Sequence, residues 1–158
     1  MRTLLRTLVW LAVVVWFGGL LFFPITAWAA FGTIADTHAA GTIVAKSLGV
    51  LHHEGLFAGF LIVLLLAIGL ATRVFSRSIV IAIVVTLIML GLTAWSQYSI
   101  IPHMEQDRIA AGGAIDSVPR TDSRHADFDR LHRESEHLEQ AVMLAGLILV
   151  ILLARQYE

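Results

Sequence analysis

The sequence predicts an all-α integral membrane protein, a four-helix bundle with both termini in the cytoplasm. Of its 158 residues, 58% are hydrophobic, and the mean hydropathy is +0.80. The chain contains four apolar runs of roughly 17 residues separated by polar segments, and a helix of about 20 residues crosses a bilayer. This composition is typical of a membrane protein and not of a soluble core.

The first apolar run resembles a secretory signal, because "MRTLLR" precedes it and "AWAA" follows it. The run from Thr7 to Phe23 is longer than the usual signal core of about 7 to 15 residues. We therefore predict a retained first span near 4–23.

The remaining apolar runs predict three more spans in one transmembrane domain covering residues 1–158, near 52–71, 79–98 and 135–154. An Asp36/Thr37 cap predicts a helical segment that runs into the second span. Pro102 is expected to end the third span, and residues 99–134 to form an exoplasmic loop that is flexible over 110–123.

Five arginines fix the predicted orientation, because they cluster at one set of span ends: Arg2, Arg6, Arg73, Arg77 and Arg155. Short loops rich in Lys and Arg stay in the cytoplasm. We therefore expect a multi-pass protein of the cell (inner) membrane, with all seven histidines on the exoplasmic side.

Composition also excludes several functions. The chain has no cysteine, which excludes disulfides and thiolate metal sites, and its net charge of −1 gives no reason to expect nucleic acid. No catalytic triad, phosphate loop or nucleotide motif is present, so we do not predict an enzyme.

The expected partners are the lipid bilayer and a homo-oligomer or larger membrane complex.

The fourth apolar run, "AVMLAGLILVILLA", is too short to cross a bilayer. Its helix would cover about 21 Å at 1.5 Å per residue, whereas the hydrocarbon core is about 30 Å thick. Part of the preceding "DRLHRESEHLEQ" must therefore lie in the membrane, and the second span must likewise include "HHE" at 52–54.

Helical spacing places His132, Ser135, Glu136 and Glu139 on one stripe. Imidazoles and carboxylates at membrane depth are costly and suggest a functional site. We predict that they bind a transition-metal ion (Cu, Zn or Fe) for homeostasis, resistance or redox. The predicted metal ligands are His52, His53, Glu54, His103, His132, Glu136 and Glu139.

Three alternatives stay open. The polar helix ends could simply reach water. A single b-type haem could be held by His52 or His53 with His132 or His103, since two histidines from facing helices suffice. The chain could also be an accessory subunit of a larger complex. His38 and His125 are expected to be ordinary surface residues.

A small-residue ridge recurs every four residues before the second span, at Gly41, Ala45 and Gly49, with His53 at its end. Such ridges let neighbouring helices approach closely. We expect this ridge to face protein.

The "WFGGLLFFP" of the first span and "FDRLHRESEHLE" before the fourth carry a family resemblance. The chain resembles bacterial domain-of-unknown-function membrane proteins grouped with eukaryotic transmembrane protein 205, which are similar to CopD-like copper-resistance and HemJ-like haem proteins. The matched pattern is F-x-x-L-H-x-x-S, here Phe128, Leu131, His132 and Ser135. The resemblance implies a four-helix bundle associated with metal or haem. The HemJ-like proteins carry a haem-ligating His where this chain has Val9.

Overall fold

The computed structural model describes residues 2–157, and within that range it contains five α-helices and no strand. The helices are α1 (Arg2–Thr33), α2 (Thr37–Ala71), α3 (Ile79–Trp95), α4 (Ile101–Ala110) and α5 (Ser123–Ala154). A π-helical turn, Ser96–Ile100, joins α3 to α4, and short 3-10 turns occupy Ile115–Ser117 and Arg155–Tyr157. Because α3, the π-turn and α4 run on continuously, four helical rods are long and apolar enough to cross a membrane.

Neighbouring rods pack in the order of the chain. α1 packs on α2, α2 on α3 and α3 on α5, whereas α1 and α5 touch only lightly. The connection from α2 to α3 is tied to the end of α5, because the Ser76 hydroxyl donates to Gln156 Oε1 at 2.8 Å. Arg6 at the start of α1 lies over the Phe75 ring at 6.0 Å. The five predicted arginines therefore share one end of the bundle, here called the arginine end.

The core between α1 and α2 is built on Trp16, which is only 2% exposed. Its indole ring lies against Gly55 and Gly59 of α2, where any side chain would collide with the ring. Glycine at these positions lets the two helices approach closely enough to enclose the largest buried side chain of the protein.

The helices extend well beyond the predicted spans at the opposite end. The 32 residues of α5 cover about 48 Å at 1.5 Å per residue, more than the roughly 30 Å of a bilayer core. Most of the predicted connection 99–134 is helical, because only residues 111–122 lie outside the π-turn, α4 and α5. The Asp36 cap is confirmed: its carboxylate accepts from the backbone N–H of His38 at 2.9 Å and of Ala39 at 3.2 Å.

The prediction that Pro102 ends the third span is also wrong. Pro102 lies in the first turn of α4, where proline is tolerated because its missing N–H has no required partner. The π-turn before it already shifts the hydrogen bonds, since the Ile101 N–H donates to Ser96 O, five residues back. The rod therefore passes the proline and continues to Ala110.

The small-residue ridge does not pack as expected. Ala45 and His53 are exposed, and a Cβ added to Gly49 would meet nothing within 4 Å. The face of α2 that packs instead carries His52, Gly55, Gly59 and Ile62, because helical residues three and four apart share a face. The ridge lies about 100° away from that face, one residue further along the helix.

α2 ends in a Schellman motif at the arginine end. The Val74 N–H donates to Gly69 O at 2.8 Å and the Arg73 N–H to Leu70 O at 3.2 Å. Arg73 occupies the left-handed position with φ of 56°. Glycine is usual there, since the left-handed conformation costs other residues about 1–2 kcal/mol.

Candidate functional site

The buried face of α2 brings His52 into the bundle. His52 is 1% exposed and lies one helical turn before Gly55, one of the two glycines that contact the Trp16 ring. His53, the next residue, is exposed. A full turn takes 3.6 residues, so adjacent histidines point about 100° apart and only one of them can face the core.

The buried face of α5 selects Glu139 in the same way. Val142, Gly146 and Leu149 fix that face by their burial, and Ser135 and Glu139 continue it towards the helix start. Glu139 is 17% exposed at the side chain, whereas Glu136, one turn earlier, is 58% exposed. The two glutamates of the predicted stripe therefore face different ways: Glu139 faces inward and Glu136 faces outward.

His52 and Glu139 meet between the helices, with Gln97 of the π-turn as the third member. His52 Nε2 lies 2.5 Å from Glu139 Oε1, and His52 Nδ1 lies 2.9 Å from Gln97 Oε1. Three rods thus contribute one side chain each to a buried polar centre. We call His52, Gln97 and Glu139 the polar centre.

The short contact within the polar centre requires a hydrogen between its two atoms. A carboxylate oxygen only accepts hydrogen bonds, so Nε2–H of His52 donates to Glu139. The Gln97 amide can contact Nδ1 in either orientation, because its oxygen accepts from Nδ1–H and its NH₂ group donates to Nδ1.

The π-turn that supplies Gln97 carries a second buried polar group. Ser96 is fully buried, and its Oγ has no hydrogen-bond partner among the described residues. Tyr98, on the same turn, contacts the His53 ring edge-on at 6.4 Å between centroids. Single π-turns within α-helices occur often at functional sites, which fits the position of this turn beside the polar centre.

The other predicted ligands lie outside the polar centre. The rings of His53 and His103 each bond a carbonyl of their own helix, His53 Nδ1 to Gly49 O and His103 Nδ1 to Ser99 O, both at 2.6 Å. Glu54 is exposed. The expectation that His132 and Glu136 face inward is wrong: both are more than half exposed, with 3.4 Å between Nε2 and Oε1.

The seven predicted ligands therefore do not gather in one place. Within residues 2–157, no three His, Asp or Glu side chains lie close enough together to hold a metal ion. Of the seven, the structure brings together two pairs: His52 with Glu139 inside the bundle, and His132 with Glu136 on its surface.

His125 is not an ordinary surface residue. It is 8% exposed, with Nδ1 3.3 Å from Val118 O and Nε2 3.9 Å from Asp129 Oδ2. The ring fills the space under the connection from α4 to α5. His38, by contrast, is exposed as expected.

Gln97 is the member of the polar centre that sequence reasoning missed. The available signal was its position inside the predicted span 79–98, since a polar side chain at membrane depth needs a partner. Its pairing with His52 depends on the π-turn, which no local pattern in "WSQYSIIP" indicates.

In comparisons with known proteins, no family model, no curated protein and no solved structure matched the chain. The resemblance to the transmembrane protein 205 group therefore stays a prediction.

Proposed function

We propose that the protein is a multi-pass protein of the cytoplasmic membrane whose buried His52–Glu139 pair binds a cation, with a transition-metal ion as the leading occupant. The placement of an imidazole and a carboxylate side by side between the helices of an apolar bundle carries this proposal. A nitrogen and a carboxylate oxygen directed at each other inside an apolar bundle need either a shared hydrogen or a metal ion between them.

The chemistry of the pair suits a metal ion. Imidazole nitrogen and carboxylate oxygen both bind Cu, Zn and Fe. The Gln97 oxygen at His52 Nδ1 supports the ring as carbonyl and carboxylate oxygens support metal-ligating histidines in other proteins. It leaves Nε2 as the nitrogen available for a ligand bond.

The separation of the pair limits how tightly a metal could be held. A tetrahedral ion at about 2.0 to 2.2 Å from each atom would hold Nε2 and Oε1 about 3.4 Å apart, so the pair must open by about 1 Å. Two protein ligands are also fewer than the four of a closed structural site, which leaves positions for water or for a second copy of the chain. We therefore expect weak, exchangeable binding suited to homeostasis or resistance.

A metal titration of the purified full chain tests the proposal. Bound Cu(II) or Zn(II) is measured by elemental analysis after gel filtration. Glu139→Gln should weaken binding by about 10-fold or more, since even changes around the ligands cost about 10 to 100-fold. Glu136→Gln, the same substitution one exposed turn earlier, is the matched control and should bind like the parent. The reverse pattern would assign binding to the surface pair His132–Glu136 and overturn the proposal.

The haem alternative is tested in the same sample. A Soret band in the protein as purified, lost in His52→Ala, would support a haem held by His52. The exposed His103 and His132 are then the candidates for a second ligand.

A second candidate function is that of an accessory subunit in which the pair holds only a proton. The short contact between His52 Nε2 and Glu139 Oε1 favours a shared proton, because two ligands of one metal ion would lie about 3.4 Å apart. Binding of no metal by the parent, with cofractionation of other membrane proteins that is unchanged in Glu139→Gln, would support this candidate.

A further inference from the structure

The arginine end contains a cleft that the polar centre does not explain. The cleft has a volume of about 590 Å³ and lies where α2 turns into α3. Arg73 and Arg77 line it together with apolar side chains that include Leu70, Phe75 and Val80. Neither arginine side chain forms an ion pair or hydrogen bond with another described residue.

No carboxylate of residues 2–157 lies in the segments around these arginines. Among residues 2–157, the segments that form this end are 2–13, 60–90 and 145–157, and they contain no Asp or Glu. Two guanidinium groups beside an apolar cleft therefore lack a negative partner within the described chain.

The backbone of Arg73 gives an independent reason to assign a role to its side chain. Arg73 occupies the left-handed position of the Schellman motif, with φ of 56°, where glycine would be unstrained. Strained residues that persist in a fold suggest a function for the side chain that requires the strain. The turn itself is held by Ser76 and Gln156, so its shape does not depend on the arginine.

We propose that Arg73 and Arg77 bind the phosphate of an anionic lipid headgroup, with the first part of an acyl chain against Leu70, Phe75 and Val80. Guanidinium groups bind phosphate oxygens through paired hydrogen bonds. The cleft lies at the ends of two membrane-spanning helices, which is the depth of the headgroups. Its apolar lining favours a lipid over a free phosphate ion, because an ion would leave that lining in contact with water.

Native mass spectrometry of the full chain in dodecyl maltoside micelles tests this. Dioleoyl phosphatidylglycerol and dioleoyl phosphatidylcholine, which have the same acyl chains, are added in equal amounts and the lipid retained by the protein is counted. We expect the parent to retain phosphatidylglycerol preferentially. Each arginine near a membrane surface contributes about five-fold, so Arg73→Gly and Arg77→Gln should each lower retention about five-fold.

The variants are chosen so that loss of fold is not mistaken for loss of binding. Arg73→Gly relieves the left-handed strain and should melt at or above the parent temperature while binding less lipid. Arg155→Gln removes an arginine from the same end but outside the cleft, and should retain the lipid within about two-fold of the parent.

Two results would overturn the proposal. One is retention that does not depend on the headgroup or on the cleft arginines, seen as equal retention of both lipids by the parent or as equal retention of phosphatidylglycerol by the parent and both cleft variants. The other is displacement of phosphatidylglycerol by millimolar inorganic phosphate, which would assign the cleft to the free ion and not to a lipid.

Discussion

Trp16 of α1 packs directly on the backbone of Gly59 in α2. A Cβ added to Gly59 would lie 2.5 Å from Trp16 Cζ3 and 2.7 Å from Leu90 Cδ2. The three rods α1, α2 and α3 therefore meet at one glycine, and the indole leaves no room for a side chain.

Gly59→Leu should consequently destabilise the bundle by about 3 kcal/mol or more, because overpacking a rigid core forces helices apart. Gly49→Leu on the same helix is the control, since a Cβ there meets nothing within 4 Å. Thermal melting in detergent measures both variants. A melting temperature of Gly59→Leu equal to that of Gly49→Leu would show that the close approach is wrong.

Removing Glu139 from its pair with His52 should lower the stability of the fold more than removing an exposed carboxylate. Glu139→Leu leaves His52 Nε2 buried without its carboxylate partner, which is expected to cost about 1–3 kcal/mol. Glu136→Leu, 58% exposed in the parent, should change stability by less than about 0.5 kcal/mol.

The double variant His52→Leu/Glu139→Leu tests whether Glu139→Leu lowers stability because it leaves His52 without a partner. Replacing both partners by apolar side chains is often neutral or stabilising. A double variant that melts above Glu139→Leu would show that the unpaired imidazole causes the loss. A double variant with the sum of the single losses would show instead that the two side chains do not interact.

Acid should weaken the start of α5. Hydrogen bonds from the Arg124 side chain lower the pKa of Asp122 from 3.8 to about 2. A lowered pKa means that ionised Asp122 stabilises the folded state above about pH 4 and that this contribution is lost as the pH falls through about 2. Asp122→Asn keeps a capping oxygen but removes the charge.

Amide hydrogen exchange of residues 124–128 measures this effect. The parent should be better protected than Asp122→Asn at pH 6, and the difference should shrink on acidification towards pH 2. A difference that grows in acid would contradict the assignment of charge to Asp122.

The chain lacks cysteine, so its orientation can be tested with single cysteines. Thr72→Cys at the arginine end should be protected from a membrane-impermeant maleimide in intact cells, because arginine-rich loops stay in the cytoplasm. Asp127→Cys, exposed near the start of α5, should react. Labelling of Thr72→Cys but not of Asp127→Cys would show that the orientation is the reverse of the proposed one.

The sequence predicted four long apolar helical rods because apolar length is a local property. It predicted the start of α2 for the same reason, since the Asp36 cap depends only on residues that follow it. The extent of α4 was missed, because the tolerance of Pro102 depends on the preceding π-turn.

The candidate site was predicted only in part. Depth could be estimated by counting residues from the arginine end, and this selected the neighbourhood of His52 and Glu139. Which of two adjacent histidines faces the core depends on the phase of α2 against Trp16, a contact between helices that local spacing does not contain. For that reason the exposed His53 and Glu136 were expected to share a site with the buried pair.

The three members of the polar centre are synthesised at different times, because they lie far apart in the chain. His52 and Glu139 are separated by 87 positions in the chain, and His52 and Gln97 by 45. At about 5–20 residues per second, Glu139 is synthesised about 4–17 seconds after His52. During that interval His52 can contact Gln97 but not Glu139, because α5 has not yet been made. A nascent chain that stops before α5 therefore lacks the carboxylate that contacts His52 Nε2, and its polar centre is complete only once the last helix has been made.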